Sequence, residues 1–167
     1  EITYGDWSSD VCSSDLTFVK TDAPMMAQMP KLKVISNFGV GYDSIDIPEA
    51  ARRGVIITNT PDVLNEEVAD TALGLLISTV REMPQAEAYL RAGRWAKEGD
   101  YPLTHGSLRD RKVGMIGFGR IGKAIGRRLE AFGVPIAYFG RTKQASVAYP
   151  FYDDLVAMAR EIGRAHV

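Results

Sequence analysis

Two kinds of apolar spacing alternate along the chain. Lys31–Asn37 (KLKVISN) is a short apolar run that ends in polar and glycine residues, which predicts a buried parallel strand. The segment Phe38-Gly39-Val40-Gly41-Tyr42-Asp43 predicts a loop, and Asp46 or Pro48 can open a short helix, IPEAARR, that stops at Gly54. Val55–Asn59 is rich in β-branched residues and predicts a second strand. Strand, helix and strand in that order form the unit of a parallel sheet.

From Asn65 the spacing becomes helical. Val68, Ala69, Ala72, Leu73, Leu75, Leu76, Ile77 and Val80 recur on one broad face of a long, mostly apolar helix, which Pro84 interrupts. A second amphipathic stretch runs to about Ala92, before Gly93-Arg94-Trp95. Ala96–Asp110 mixes glycine, proline and polar residues without a period and predicts an irregular connection.

The chemically informative segment follows. Lys112–Ile116 predicts a strand, Gly117-Phe118-Gly119-Arg120-Ile121-Gly122 matches GxGxxG, Lys123–Phe132 predicts a helix ending at Gly133, and Pro135–Phe139 predicts the next strand. In this context the motif predicts a dinucleotide-binding turn. Gly117 permits a tight turn, Gly119 lets the backbone approach a diphosphate, and Gly122 permits close helix–strand packing. Exposed amides and the positive end of the helix attract the anion.

An acidic side chain at the end of the second strand would favour a free ribose 2′-hydroxyl. Here that place is held by Gly140, followed by Arg141-Thr142-Lys143. Two cations flanking a hydroxyl suit a 2′-phosphate, so NADP(H) is the expected cofactor and NAD(H) the second choice.

Composition narrows the class without changing it. With 46% apolar and 25% charged residues and a formal charge of −1, the chain reads as globular, with neither a nucleic-acid surface nor a membrane span, and as cytoplasmic. The ends read differently from the middle. Asp10–Leu16 (DVCSSDL) and Glu161–Val167 (EIGRAHV) can be encoded by the two complementary strands of one oligonucleotide, resembling a sequencing adapter translated in frame. Residues 1–16 and 161–167 are therefore set aside as non-native, which removes Trp7, Cys12 and His166 from functional consideration.

The motifs LKVISNFGVGYDSID, GVIITNTPDVLNEEVADTALGLLIS and KVGMIGFGRIGKAIGRRLEAFG together resemble the D-isomer-specific 2-hydroxyacid dehydrogenase family, nearest in pattern to glyoxylate and hydroxypyruvate reductases. The resemblance implies an α/β fold in which residues 17–62 are part of a flavodoxin-like substrate domain. Residues 63–160 would then be the N-terminal part of a Rossmann-type, doubly wound parallel sheet. It also implies that Val40 and Gly41 supply amides to a substrate carboxylate, and that Val68 approaches the nicotinamide. The diphosphate would lie at Gly117, Phe118, Gly119, Arg120, Ile121 and Gly122, and the adenosine ribose at Arg141, Thr142 and Lys143.

The implied reaction is reversible hydride transfer between the nicotinamide and a small 2-oxo acid or D-2-hydroxy acid, in a full-length parent that is a homodimer. The helical region and its following connection, with Trp95 and Tyr101, would join the dimer contact, while Arg81, Arg91 and Arg94 read as solvated or interface residues. An arginine and a glutamate–histidine pair would act from beyond Arg160, so the 167-residue chain is expected to be inactive and its stability to suffer from unpaired sheet edges. His105 stands where the family has no catalytic histidine. The rival from another class is a non-catalytic dinucleotide sensor resembling the corepressors that share this architecture.

Overall fold

Only the centre of KLKVISN becomes a strand. In the computed structural model, which describes residues 12–13, 20–104 and 106–163, Val34–Ser36 (β2) lies between Cys12–Ser13 (β1) and Ile56–Thr58 (β3). Both pairings are parallel, with Ile35 opposite Ile57 in one and Cys12 in the other. The strand residue Cys12 belongs to the stretch set aside above. An open parallel edge leaves unpaired amides and carbonyls on β2, and any extended segment that reaches them can complete the ladder.

Two helices cover this sheet. The first, α1 (Ala23–Ala27), has no counterpart in the sequence reading; Asp22 caps it by accepting from the Met25 amide at 3.2 Å. The second, α2 (Ile47–Arg53), matches the expected IPEAARR. It is capped by Asp46, which accepts from the Glu49 amide at 3.0 Å, and ends at Gly54 in the left-handed region (φ 70°). Met26, Ile35, Ile45, Ala50 and Val55 form the core beneath them.

Glu49 ties the helices together electrostatically. Its carboxylate accepts from Arg52 and Arg53, and Arg53 Nη1 also donates to the Met26 carbonyl at 3.0 Å. The hydrogen bond from Arg52, then that from Arg53, lowers the Glu49 pKa from 4.5 to about 2. A lowered folded-state pKa adds stability above the ordinary value that is lost as pH falls through the folded one. The Tm of the chain is therefore expected to fall between pH 4.5 and about 2 by more than that of Glu49→Gln, as scanning calorimetry at several pH values would show.

The chain divides into two compact units, Glu1–Val63 and Leu64–Val167. The second opens with α3 (Asn65–Val80), α4 (Met83–Arg91) and α5 (Arg94–Glu98). The break between α3 and α4 comes at Glu82, held at φ 51°, and Pro84 falls in the first turn of α4, where its missing N–H costs no helical bond. The connection expected to be irregular contains the end of α5 and a single 3₁₀ turn, Leu108–Asp110.

A second parallel sheet follows: β4 (Val113–Ile116), β5 (Ile136–Phe139) and β6 (Phe151–Tyr152) in that order. The helix α6 (Arg120–Ala131) connects the first two strands. Leu73 of α3 packs with Leu108, Leu129, Val134 and Ile136, so α3 and α6 share one core. At its edge Arg127 and Arg128 pair with Glu66, and Arg128 with Asp70 as well.

The last helix, α7 (Leu155–Gly163), also extends into residues set aside on sequence grounds. Glu161 accepts from Lys112 Nζ at 2.6 Å, and Ile162 occupies the space beside Gly114 that a Cβ would need. Amphipathic spacing through Leu155, Met158 and Ile162 explains why the helix continues there. Among the described residues, no helix is long and apolar enough to cross a membrane.

Candidate functional site

β4 ends at Ile116, and the Gly117 amide extends its ladder by donating to the Phe139 carbonyl at 2.8 Å. Gly117 then turns the chain at φ 86°, a region costly to residues with a Cβ. Gly119 caps α6 from an extended conformation, and the amide of Lys123 returns to its carbonyl at 2.9 Å. The three motif glycines meet different surroundings. A Cβ on Gly122 would lie 2.7 Å from the Gly117 carbonyl oxygen, whereas one on Gly119 would meet nothing within 4 Å. Gly122 thus serves the closeness of helix and turn, and Gly119 leaves an open approach to the backbone.

Phe118, between the first two glycines, is an anchor. Its side chain is buried against Tyr138, with ring centroids 5.1 Å apart, and meets Tyr149 edge-on at 5.4 Å. Only the Phe118 backbone is thus available to a ligand. Tyr149 donates to Glu130, and its own burial, followed by that hydrogen bond, raises its pKa to about 12, so it remains a donor at neutral pH. Beyond β5 and Gly140, the side chains of Arg141, Thr142 and Lys143 are exposed. The next residue, Gln144, reaches back: its Nε2 donates to the Phe118 carbonyl at 2.7 Å, and its backbone amide donates to the Tyr138 hydroxyl at 2.9 Å.

The other unit contains a second loop with organised backbone. Buried Asn37 donates through Nδ2 to the carbonyls of Gly39 (3.2 Å) and Gly41 (2.9 Å), and Asn59 donates to that of Val40 (2.9 Å). The Thr60 amide adds a bond to the Gly39 carbonyl at 3.0 Å. Three consecutive carbonyls are therefore held by protein donors. Because C=O and N–H point oppositely across a planar trans peptide, the amides of Val40, Gly41 and Tyr42 are turned away from those donors. Asn37→Ala is expected to lower the urea-unfolding free energy of the chain by ~1–3 kcal/mol, because it takes from the Gly41 carbonyl its buried side-chain donor and leaves the Gly39 carbonyl with the Thr60 amide alone.

Residues 10–162 match the D-isomer specific 2-hydroxyacid dehydrogenase catalytic domain. The chain belongs to that family. Glyoxylate/hydroxypyruvate reductase A of Arabidopsis thaliana is 43% identical over 139 residues, which are 83% of this chain and 44% of that protein. The glyoxylate reductase of Thermococcus onnurineus is 45% identical over 132 residues, 77% of this chain and 40% of the relative. Among solved structures, the NADPH-dependent glyoxylate/hydroxypyruvate reductase of Sinorhizobium meliloti, in complex with NADP and malonate, is 53% identical. It aligns with a TM-score of 0.81 over 91% of this chain and 46% of its own. The chain thus spans about half the length of the relatives it matches.

In this dehydrogenase-family chain, the residues expected to bind the cofactor are carried by three segments of the second unit. Gly117–Gly122 form the turn, and Gln144 joins the loop carrying Arg141, Thr142 and Lys143 to it. Val68 lies on the first turns of α3. Its helical neighbours Glu66 and Asp70 pair with Arg128, about two turns of α6 beyond the glycine turn. Trp95 is more than half exposed, whereas Tyr101 donates to Glu82 at 2.9 Å and packs edge-on against Tyr89. Arg94 lies over the Tyr89 ring and pairs with Glu98, and Arg91 pairs with Glu87. His105, Trp7 and His166 lie outside the described residues.

Asn37, Asn59 and Gln144 were missed by the sequence reading. Each acts on backbone carbonyls of a glycine-containing loop, and only the loops, not their supports, carry a motif.

Proposed function

We infer that these residues form the dinucleotide-binding portion and part of the substrate domain of an NADP(H)-preferring reductase of glyoxylate, hydroxypyruvate or a similar small 2-oxo acid. The observation that carries the reading is the turn at Gly117–Gly122, open at Gly119 and followed within one strand by Arg141-Thr142-Lys143. NAD(H) remains the second cofactor under this reading.

The chain's own groups have distinct roles in it. The α6 N-terminus and the turn amides hold the diphosphate. Arg141 and Lys143 neutralise the 2′-phosphate while the Thr142 hydroxyl donates to it. Val68 packs toward the nicotinamide, and the Val40 and Gly41 amides receive the substrate carboxylate. When bound, the cofactor supplies the hydride. The proton comes from a histidine paired with a carboxylate, a group that titrates near neutrality, expected beyond Arg160 along with the substrate-binding arginine. The kinship with reductases favours this reading over a sensor.

The reading also makes the parent a cytoplasmic homodimer. Support for the dimer comes from the exposed apolar side chains of Leu75, Met83, Leu90, Trp95 and Leu103 in the second unit.

The test is NADPH oxidation with glyoxylate and hydroxypyruvate by a protein that joins these residues to the remaining half of the family's length. Turnover with NADPH preferred over NADH is expected. Cofactor binding without turnover on any small 2-oxo acid would overturn the reductase reading.

A further inference from the structure

We propose that Gln144 is a positioning residue that locks the basic loop to the glycine turn and aims the Gly119 amide at the diphosphate. The inference rests on the dinucleotide reading above and adds a residue that the GxGxxG motif does not contain. Gln144 makes two bonds in two directions: its backbone amide to the hydroxyl of Tyr138 in β5, and its side-chain amide to the carbonyl of Phe118, 26 residues earlier. The exposed stretch Arg141–Lys143 is thus tethered at both ends, by β5 before it and by Gln144 after it.

The second bond acts on the turn itself. Phe118 C=O and Gly119 N–H belong to one planar peptide and point in opposite directions. A donor on the carbonyl therefore fixes the amide toward the side away from Gln144, and a Cβ at Gly119 would meet nothing within 4 Å, so the backbone there is open to a ligand. The bond also polarises the peptide and strengthens the amide as a donor. Tyr138, which receives the backbone bond, packs on the ring of Phe118, so both anchor points belong to one aromatic cluster with Tyr149. Through Gln144, the group reading the 2′-phosphate and the group holding the diphosphate are set in fixed register. A residue acting only on the basic loop would alter NADP⁺ binding alone, whereas one acting through the Gly119 amide weakens NAD⁺ as well.

The experiment titrates NADP⁺ and NAD⁺ into the 167-residue chain and into Gln144→Met and Gln144→Glu. Both variants keep the side-chain length, lose the donor and retain the backbone bond to Tyr138. The ¹H–¹⁵N cross-peak of Gly119 is recorded first, without cofactor. Loss of the hydrogen bond is expected to move that cross-peak and to weaken NADP⁺ about tenfold and NAD⁺ about threefold, the Glu variant more because its carboxylate faces a carbonyl. An unmoved Gly119 cross-peak, or affinities within about twofold of the parent chain, overturns the proposal. If the parent chain binds neither nucleotide, the dinucleotide reading fails, while the cross-peak still decides whether Gln144 orients the Gly119 peptide. Should one variant not fold, the other gives the same readings.

Discussion

Gly122→Ala is expected to weaken NADPH binding by about tenfold to a hundredfold and to lower thermal stability, whereas Gly119→Ala is expected to weaken binding and leave stability unchanged. The difference follows from what each new methyl group meets. At Gly122 it would sit 2.7 Å from the Gly117 carbonyl oxygen, which is backbone at a turn already held at φ 86° and tied to β5. The helix must move away from the turn, at a typical overpacking cost of ~1–3 kcal/mol, and its N-terminal amides move with it. At Gly119 the methyl group meets no protein atom within 4 Å, so the apo chain tolerates it and only an approaching ligand is obstructed. Calorimetric titration with NADPH alongside Tm measurement separates the two. Equal losses of stability in both variants would mean that Gly119 serves packing rather than a ligand.

Replacing Arg141 and Lys143 together by alanine is expected to reduce NADPH affinity about a hundredfold while leaving NADH within about threefold, on the scale of one charge-assisted contact for each cation. Both side chains are exposed and belong to a tethered loop, so their loss removes no core contact. Because the interaction is electrostatic and solvent-accessible, added salt should weaken NADPH binding to the parent chain more than to the double variant. Titrations at two ionic strengths check both statements. An unchanged ratio of NADPH to NADH affinities would identify the loop as a solvated basic segment with no part in cofactor choice.

Much of the architecture was legible because its signals are local. Val34–Ser36, Ile56–Thr58 and Ile136–Phe139 lie within apolar runs, and Asp46, Pro48 and Gly54 delimit α2 by capping rules that depend on a few neighbours. The helix α1 carried a comparable signal, Asp22 as cap with a proline in the first turn, but its single buried side chain, Met26, gives no period to detect. The helix α7 does have a period, through Leu155, Met158 and Ile162; it was lost because its end coincides with residues set aside for their resemblance to translated adapter. Pairing of Cys12–Ser13 with β2 depends on an available sheet edge, which no composition rule reports.

The candidate site divides along the same line. Glycines at Gly117 and Gly122 were legible because turn geometry and close approach exclude other residues. The supports were not. Gln144 reaches Phe118 across 26 positions, Asn59 reaches Val40 across 19, and Arg128 reaches Glu66 across 62, distances at which a single sequence carries no pairing signal. Phe118 is instructive in this respect. It fills an unspecified position of GxGxxG and is expected at the diphosphate, yet its ring is the buried point on which Tyr138 and Tyr149 converge.

The most direct measurement is calorimetric titration of NADPH and of NADH, separately, into the 167-residue chain at one moderate ionic strength. One site per chain is expected, with NADPH bound at least about tenfold more tightly than NADH. Binding of neither nucleotide by a folded chain, or tighter binding of NADH, would contradict the account.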